Sequence, residues 1–411
     1  MGVTEVTQMT WDEMSPAMRA MIGYEPNGSL DVEHPQEQFL EMLKTPIVRW
    51  EGGVAFFGMN EIVEAGRNPD ITSANPFTGN GVGMGSREPL IPLHVDGDVH
   101  KRYRKLLDPL LAPKRMAALE PDVRKLADEL IDGFIGDGQV EFHDAFCVPL
   151  PCIMFLRLFG MPMEDLDFLI ACKDGVLKNA ATTFEEHEEL AWQAGDRLRE
   201  RLTLRLAERR RSGEVRDDLI GAFMSFELDG EQLNDAEIVN LMHMFTIAGL
   251  DTVTSSLSVI VGWLALHEEE RHRILAEPDL LNPAIEEIMR WESPVPQGGA
   301  RWAKVDTEIA GVAVKAGEMV SLTWASANID AAAFEHPLEV DLTREPNRHI
   351  AFAAGLHRCL GSHLARAELR AAVDQFHRRV RDYAVADGDH IDWALHGVRE
   401  AKRLPLTFTP A

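Results

Sequence analysis

Apolar residues recur at three- and four-residue spacing along most of the chain beyond residue 97, and that spacing predicts helices. The segments HKRYRKLLDPLL (100–111), PDVRKLADELIDGFI (121–135), CIMFLRLFG (152–160), EEHEELAWQAGDRLRERLTLRLAERRR (185–211) and LGSHLARAELRAAVDQFHRRV (360–380) all carry it. PAIEEIMRWE (283–292) does too, with Pro283 in a favoured first-turn position. The stretch DAEIVNLMHMFTIAGLDTVTSSLSVIVGWLALH (235–267) is apolar on every face, which predicts a buried central helix. It is long enough to cross a bilayer. However, Asp251 lies inside it and acids flank it, so no membrane span is expected, and the acidic N-terminus without an apolar run predicts no signal segment.

Elsewhere the period changes. Residues 47–50 and 54–58 alternate around a glycine turn and predict a β-hairpin. Residues 303–323 and the C-terminal RLPLTFTP read as short strands, whereas residues 69–95 and 325–358 read as irregular. The expected architecture is mainly α with small β-sheets. No linker or repeat divides the chain, so residues 1–411 are expected to form a single domain, working as a monomer.

The formal net charge of −26 argues against a nucleic-acid partner, which requires cationic surface. Four cysteines, Cys147, Cys152, Cys172 and Cys359, show neither a CxxC spacing nor a secreted framework. Free thiols in the cytoplasm are expected, three of them in the core.

The fourth stands apart. In AFAAGLHRCLGSHLAR (351–366), Cys359 lies between a glycine-rich loop and the start of a helix. A helix N-terminus exposes unpaired N–H groups and is expected to lower a thiol's pKa. Gly355 and Gly361 would let backbone approach a flat cofactor and aim N–H groups at sulfur. Phe352 would shield the ligand, and His357 and Arg358 would meet acidic groups at a cofactor's edge. A lone cysteine before a helix is usually structural. The full pattern F-x-x-G-x-H-R-C-x-G, however, resembles the cysteine-ligand signature of cytochromes P450. Ala353 replaces the glycine most frequent there, which is tolerable if its φ is negative.

Further segments resemble the same family in order, over roughly residues 90–400. Each is weak alone. In the central helix, Gly249 costs about 1 kcal/mol relative to alanine, and a buried Asp251 requires a partner. The resemblance implies that Ala248 and Gly249 flank the cofactor, and that Asp251 and Thr252 manage protons for bound oxygen. Glu287 and Arg290, at i and i+3, with Arg344, would form a structural triad holding the cysteine loop. His100, Arg104, Arg301 and His357 would bind the haem propionates. The family fold, a triangular helical prism, is implied, with haem b held through Cys359.

The implied reaction is hydroxylation of a small-to-medium hydrophobic substrate by O2. NAD(P)H would act only indirectly, through a separate ferredoxin and ferredoxin reductase, since no dinucleotide fingerprint follows a strand. Lys101, Arg102, Lys105, Arg358, Arg366 and Arg370 could form the docking patch, or simply a solvated face. Leu90, Met244, Ala248, Val295, Pro296 and Val398 are the expected substrate wall, alongside a loop near residues 76–94; plain core packing is the other reading of each. A peroxide-driven haem-thiolate enzyme, a haem-based gas sensor or carrier, and a haem-free helical scaffold remain open.

Overall fold

The computed structural model describes residues 6–23, 30–75, 83–179, 181 and 183–410. Its axis is the 32-residue helix Asp235–Leu266. Asn234 caps it: its side chain accepts the Glu237 N–H at 3.0 Å, and Glu237 returns a bond to the Asn234 N–H at 2.9 Å. This reciprocal box satisfies two donors that the first turn leaves orphaned. Packed around the central helix are the helices Pro149–Phe159, Leu166–Leu177, Phe184–Ser212, Leu281–Glu292 and Ser362–Arg379, and the strand Val398–Arg403.

Two hydrophobic cores divide this helix between them. Ile238, Leu241, Met242, Ile247 and Leu250 belong to one, while Val253, Leu257, Ile260, Val261 and Leu264 belong to the other. Asp251 and Thr252 lie at the junction. Its apolar circumference is thus accounted for by burial: 72% of its most apolar window is enclosed by protein.

The expected hairpin forms, with Ile47–Trp50 antiparallel to Gly53–Phe56. It belongs to a six-stranded sheet in the order Thr7–Gln8, Ile47–Trp50, Gly53–Phe56, Met319–Leu322, Arg301–Ala303, Ile71–Thr72. Segment 325–358 is not wholly irregular, because a short helix, Trp324–Asn328, begins it. The Leu166–Leu177 helix was not evident from periodicity, since LDFLIACKDGVL is apolar without a clear stripe.

The loop before the Gly97–Leu107 helix is described from residue 83, so residues 76–82 of the expected wall lie outside the described residues. Its described part is stapled down. Asn240 donates to the Pro89 carbonyl at 3.0 Å and accepts the Ile91 N–H at 2.7 Å. His243 Nε2 bonds the Met84 carbonyl at 2.8 Å, and Arg199 reaches Ser86 Oγ at 3.0 Å.

Candidate active site

The Ser362–Arg379 helix starts three residues after Cys359 and leaves the sulfur at its N-terminal end. The loop holds its shape through its own backbone. The Cys359 N–H donates to the Phe352 carbonyl at 2.9 Å, and the Ala353 N–H to Ile350 at 2.9 Å. Cys147, Cys152 and Cys172 are buried; Cys359 alone of the four is accessible. Burial nonetheless pushes the Cys359 thiol above its ordinary pKa, against the Gly361 N–H and the charges of Arg104, Arg358 and Arg366, which favour thiolate. The helix end does act in the expected direction, through the Gly361 N–H, but desolvation is the larger cause.

A further expectation about this loop requires correction. Ala353 has φ +61°, not a negative value. The loop needs a left-handed residue there, and alanine bears that strain. Gly355 is required for a close backbone approach within the protein. A Cβ on it would stand 1.8 Å from the Gly66 carbonyl oxygen, and its φ is +80°. The cysteine loop thus seats directly on the end of the Met59–Arg67 helix, where the Leu356 N–H bonds the same carbonyl at 3.1 Å.

Two glutamates in a row brace the loop. Glu287 accepts both Arg290 Nε and Nη2 at 2.8 Å, Arg344 Nε at 3.0 Å, Asn347 Nδ2 at 3.0 Å and the Asp341 N–H at 3.0 Å. Arg290 spends its remaining donors on the carbonyls of Asn328, Pro337 and Glu339. This cluster fixes the segment leading to the loop. Glu286, which the sequence pattern did not single out, acts on the loop itself. It takes Arg366 in a two-pronged pair at 2.7 Å and His349 at 2.9 Å. Arg366 in turn lies 4.2 Å over the Phe352 ring. Despite burial, His349 and Arg366 hold the Glu286 carboxyl down to about 2.

Of the expected edge-binding residues, the structure gathers His100, His357 and Arg301. The His100 and His357 rings lie 4.3 Å apart. His357 Nε2 is shared by Asp96 Oδ1 at 2.8 Å and Ser73 Oγ at 3.0 Å. Burial holds His100 near 4, hence neutral. Burial, and then the charges of Arg301 and His357, do the same to His94, a neighbour the motif search missed. Arg301 is a desolvated guanidinium with Asp96 as its favourable charge, and no carboxylate among the described residues lies within ion-pair distance of it. Arg104 is differently placed. It pairs with Asp108 at 2.8 Å and donates to the Arg358 carbonyl at 2.9 Å.

On the central helix, Ala248, Gly249 and Thr252 are partly accessible between buried neighbours. A Cβ on Gly249 would meet nothing nearer than Phe155 at 3.8 Å. Thr252 Oγ1 donates to the Ala248 carbonyl at 2.9 Å, competing with the helix ladder at that point. Asp251 is wholly buried. Its Oδ1 receives the ammonium groups of Lys173 and Lys178, each at 2.8 Å, and its Oδ2 has no partner. Of the expected substrate wall, Val295 is partly exposed and Pro296 is buried, while Met244 and Val398 barely reach the surface. Leu90 is fully enclosed and offers no accessible face, because its loop is tied to the central helix.

This chain thus brings together an accessible cysteine at a helix N-terminus, a small-residue window in an otherwise buried helix and a paired Glu-x-x-Arg cluster. The Cytochrome P450 family model matches residues 162–380. The steroid C26-monooxygenase of Mycobacterium tuberculosis is 30% identical over 372 residues, covering 89% of this chain and 98% of that protein. The chain belongs to the cytochrome P450 family. This P450 is also 32% identical over 337 residues to the mycinamicin IV hydroxylase/epoxidase of Micromonospora griseorubida, covering 81% of each. Among solved structures, the polyketide synthase P450 PksS of Bacillus subtilis superposes with a TM-score of 0.83 at 26% identity, covering 94% of this chain and all of that one. A Bacillus megaterium P450 crystallised with corticosterone gives 0.79 at 27% identity, over 92% and 99% of the two chains. The fold is the P450 fold, and the protein is an oxidoreductase of the P450 monooxygenase class.

The residues present fit the haem-thiolate group that the family implies. Cys359 supplies a reachable sulfur, Arg301 a desolvated cation with no ion pair among the described residues, and Gly249 a helix face without a side chain.

Proposed function

We propose that this P450 hydroxylates a small-to-medium hydrophobic substrate with O2. Electrons come from NAD(P)H through a separate ferredoxin reductase and ferredoxin, in the cytoplasm. The observation that carries this reading is the mid-helix site. Thr252 presents a hydroxyl on the accessible face, and the adjacent Asp251 keeps one carboxylate oxygen without a partner.

Cys359 would hold the iron of haem b; the Gly361 N–H is directed at its sulfur, and Phe352 lies under Arg366 on the same loop. Arg301, His100 and His357 would bind the propionates; Arg104 would contribute through the Arg358 carbonyl, being already paired with Asp108. When bound, the haem supplies the oxidising chemistry, and its thiolate ligand favours O–O cleavage. The protein's own part is to position substrate and deliver protons. Thr252 Oγ1 holds a proton toward the accessible face by turning from the Ala248 carbonyl, and Asp251 Oδ2 replenishes it. Ala248, Val295, Pro296, Met244 and Val398 bound the substrate. Apolar walls suit the lipid-like class that the names of two relatives also indicate, a steroid and a methyl-branched lipid.

Ion pairs inside the proposed docking patch narrow it. Lys101, Arg102, Arg366 and Arg370 are matched to Asp98, Asp229, Glu286 and Glu120. Lys105 and Arg358 are exposed without an ion pair among the described residues, and they are the patch's centre.

The decisive test is Thr252→Ala supplied with ferredoxin, reductase and NAD(P)H. Product per NAD(P)H falls and hydrogen peroxide rises. Unchanged coupling, or full turnover of the wild type on hydrogen peroxide alone, overturns the reading.

A further inference from the structure

From Asp251 a file of charged side chains leads away from the central helix to the surface. Lys178 caps the Leu166–Leu177 helix and places Nζ between two carboxylates, 2.8 Å from Asp251 Oδ1 and 2.7 Å from Glu400 Oε2. Glu400, on the strand Val398–Arg403, is 5% exposed. Its Oε2 faces His143 Nε2 at 3.7 Å, too far for a hydrogen bond. His143 is itself buried, and its Nδ1 meets Asp144 Oδ1 at 2.8 Å. The Asp144 side chain is 81% exposed. Two atoms of this file are buried without a partner: Asp251 Oδ2 at the inner end and His143 Nε2 near the outer one.

A lysine split between two buried carboxylates, with an imidazole nitrogen waiting beside the second, has two arrangements. If His143 is neutral, Lys178 is the only cation close to Glu400 among the described residues, and Glu400 competes with Asp251 for it. If His143 is protonated, Nε2–H closes on Glu400 and Lys178 is released toward Asp251. The switch needs only an N–H bond made or broken with a solvent proton, and a shift of less than 1 Å turns 3.7 Å into a hydrogen bond.

We propose that Glu400 and His143 tune the hold of Lys178 on Asp251, so that the charge of a histidine beneath the surface sets how readily Asp251 exchanges protons. They are positioning residues, acting through Lys178. The inference rests on the proton role given to Asp251 above.

The surroundings support this coupling. Burial opposes charge on His143, but Glu400 and Asp144 outweigh it and hold the imidazole above its ordinary pKa, against Lys178. Burial also opposes ionisation of Glu400, yet His143 and Lys178 bring it down to about 2. The other ionisable neighbours are Glu141, whose carboxylate takes the Asp144 N–H at 2.8 Å, and Cys147, a buried thiol on the same turn. Neither bonds the imidazole. Lys173 stays with Asp251 and Asp174, so Asp251 keeps one ammonium in both arrangements.

The test titrates His143 by NMR in the diamagnetic ferrous carbon monoxide form of the holoenzyme. Lys178→Met raises the His143 midpoint by about one pH unit, a tenfold gain in proton affinity. In a Glu400→Gln background the same replacement leaves the midpoint nearly unmoved. In turnover, the ratio of peroxide to product follows pH through the His143 midpoint in the wild type. That dependence flattens in Glu400→Gln and in the rim variant His143→Gln, which serves if the strand variant fails to fold. A His143 midpoint indifferent to Lys178, or pH profiles that superimpose on the wild type, overturns the inference. If Asp251→Asn uncouples turnover while His143→Gln does not, the tuning falls and the proton role of Asp251 stands. If Asp251→Asn leaves coupling intact, that role falls instead.

Discussion

Replacing Glu287 by glutamine keeps the shape of the side chain and removes one charge. The cost follows from its surroundings. Glu287 and Arg290 are each 0% exposed, so Arg290 cannot turn to water for compensation. Glu287 accepts five bonds, four from side-chain donors on Arg290, Arg344 and Asn347. A neutral amide accepts these less strongly, and its NH2 must face a donor. Breaking a buried ion pair from one side costs about 3–5 kcal/mol. Arg290 retains three backbone carbonyls, which puts the expected loss at the lower end, about 3 kcal/mol. At roughly 2.1 cal/mol/K per residue, unfolding 411 residues changes entropy by about 0.9 kcal/mol/K, so Tm falls by about 3–4 °C. Calorimetry of the haem-loaded variant measures this. The reduced carbon monoxide spectrum should at the same time lose the thiolate-type band as the cysteine loop loosens. A Tm within about 1 °C of wild type, with an unaltered spectrum, would refute the claim that this carboxylate holds the segment.

Three other substitutions probe separate parts of the site. Ala353→Gly relieves a left-handed residue at φ +61°, and should raise stability by up to about 1 kcal/mol after the flexibility of unfolded glycine is discounted, as a denaturation midpoint will show. Gly355→Ala drives a Cβ to 1.8 Å from the Gly66 oxygen; haem retention, read as the ratio of haem to protein absorbance, should fall sharply, and normal retention would mean the loop does not need this seat. Glu368→Gln tests a carboxyl that burial pushes up to about 8. Folded protein keeps that proton while unfolded chain releases it above about 4.5, so the wild type loses stability as pH rises from about 4.5 to 8. The Tm of Glu368→Gln relative to wild type should therefore climb across this window, and a pH-independent difference would contradict the assignment.

What was legible beforehand follows a physical divide. The central helix, the hairpin and the cysteine loop were readable because hydrophobic period, capping residues and a local motif are properties of neighbours in sequence. The Glu-x-x-Arg pair was readable for the same reason. The partners of Asp251 were not. Lys173 and Lys178 come from an apolar segment without clear periodicity, and Glu400 from a strand near the other end of the chain. That a buried aspartate needed a cation could be stated, but not which one. Glu286 was hidden beside the better-known Glu287, although the adjacent pair in EEIMR with Arg366 downstream of Cys359 offered a clue. The sign of the Ala353 φ and the Gly66–Gly355 seat depend on where the loop lands, which no local rule supplies.

That seat has a consequence for synthesis. The Gly66 carbonyl, Ser73 and Asp96 leave the ribosome early, whereas Leu356 and His357, which they receive, follow with nearly the whole chain already made. No amount of early folding can complete the cysteine loop, because its floor and its thiol are translated at opposite ends of the process. Every newborn chain therefore passes through an interval in which residues 66–96 have been made and the thiol proposed to bind iron has not yet emerged. A message truncated before codon 359 should yield a chain that folds in part and captures no haem.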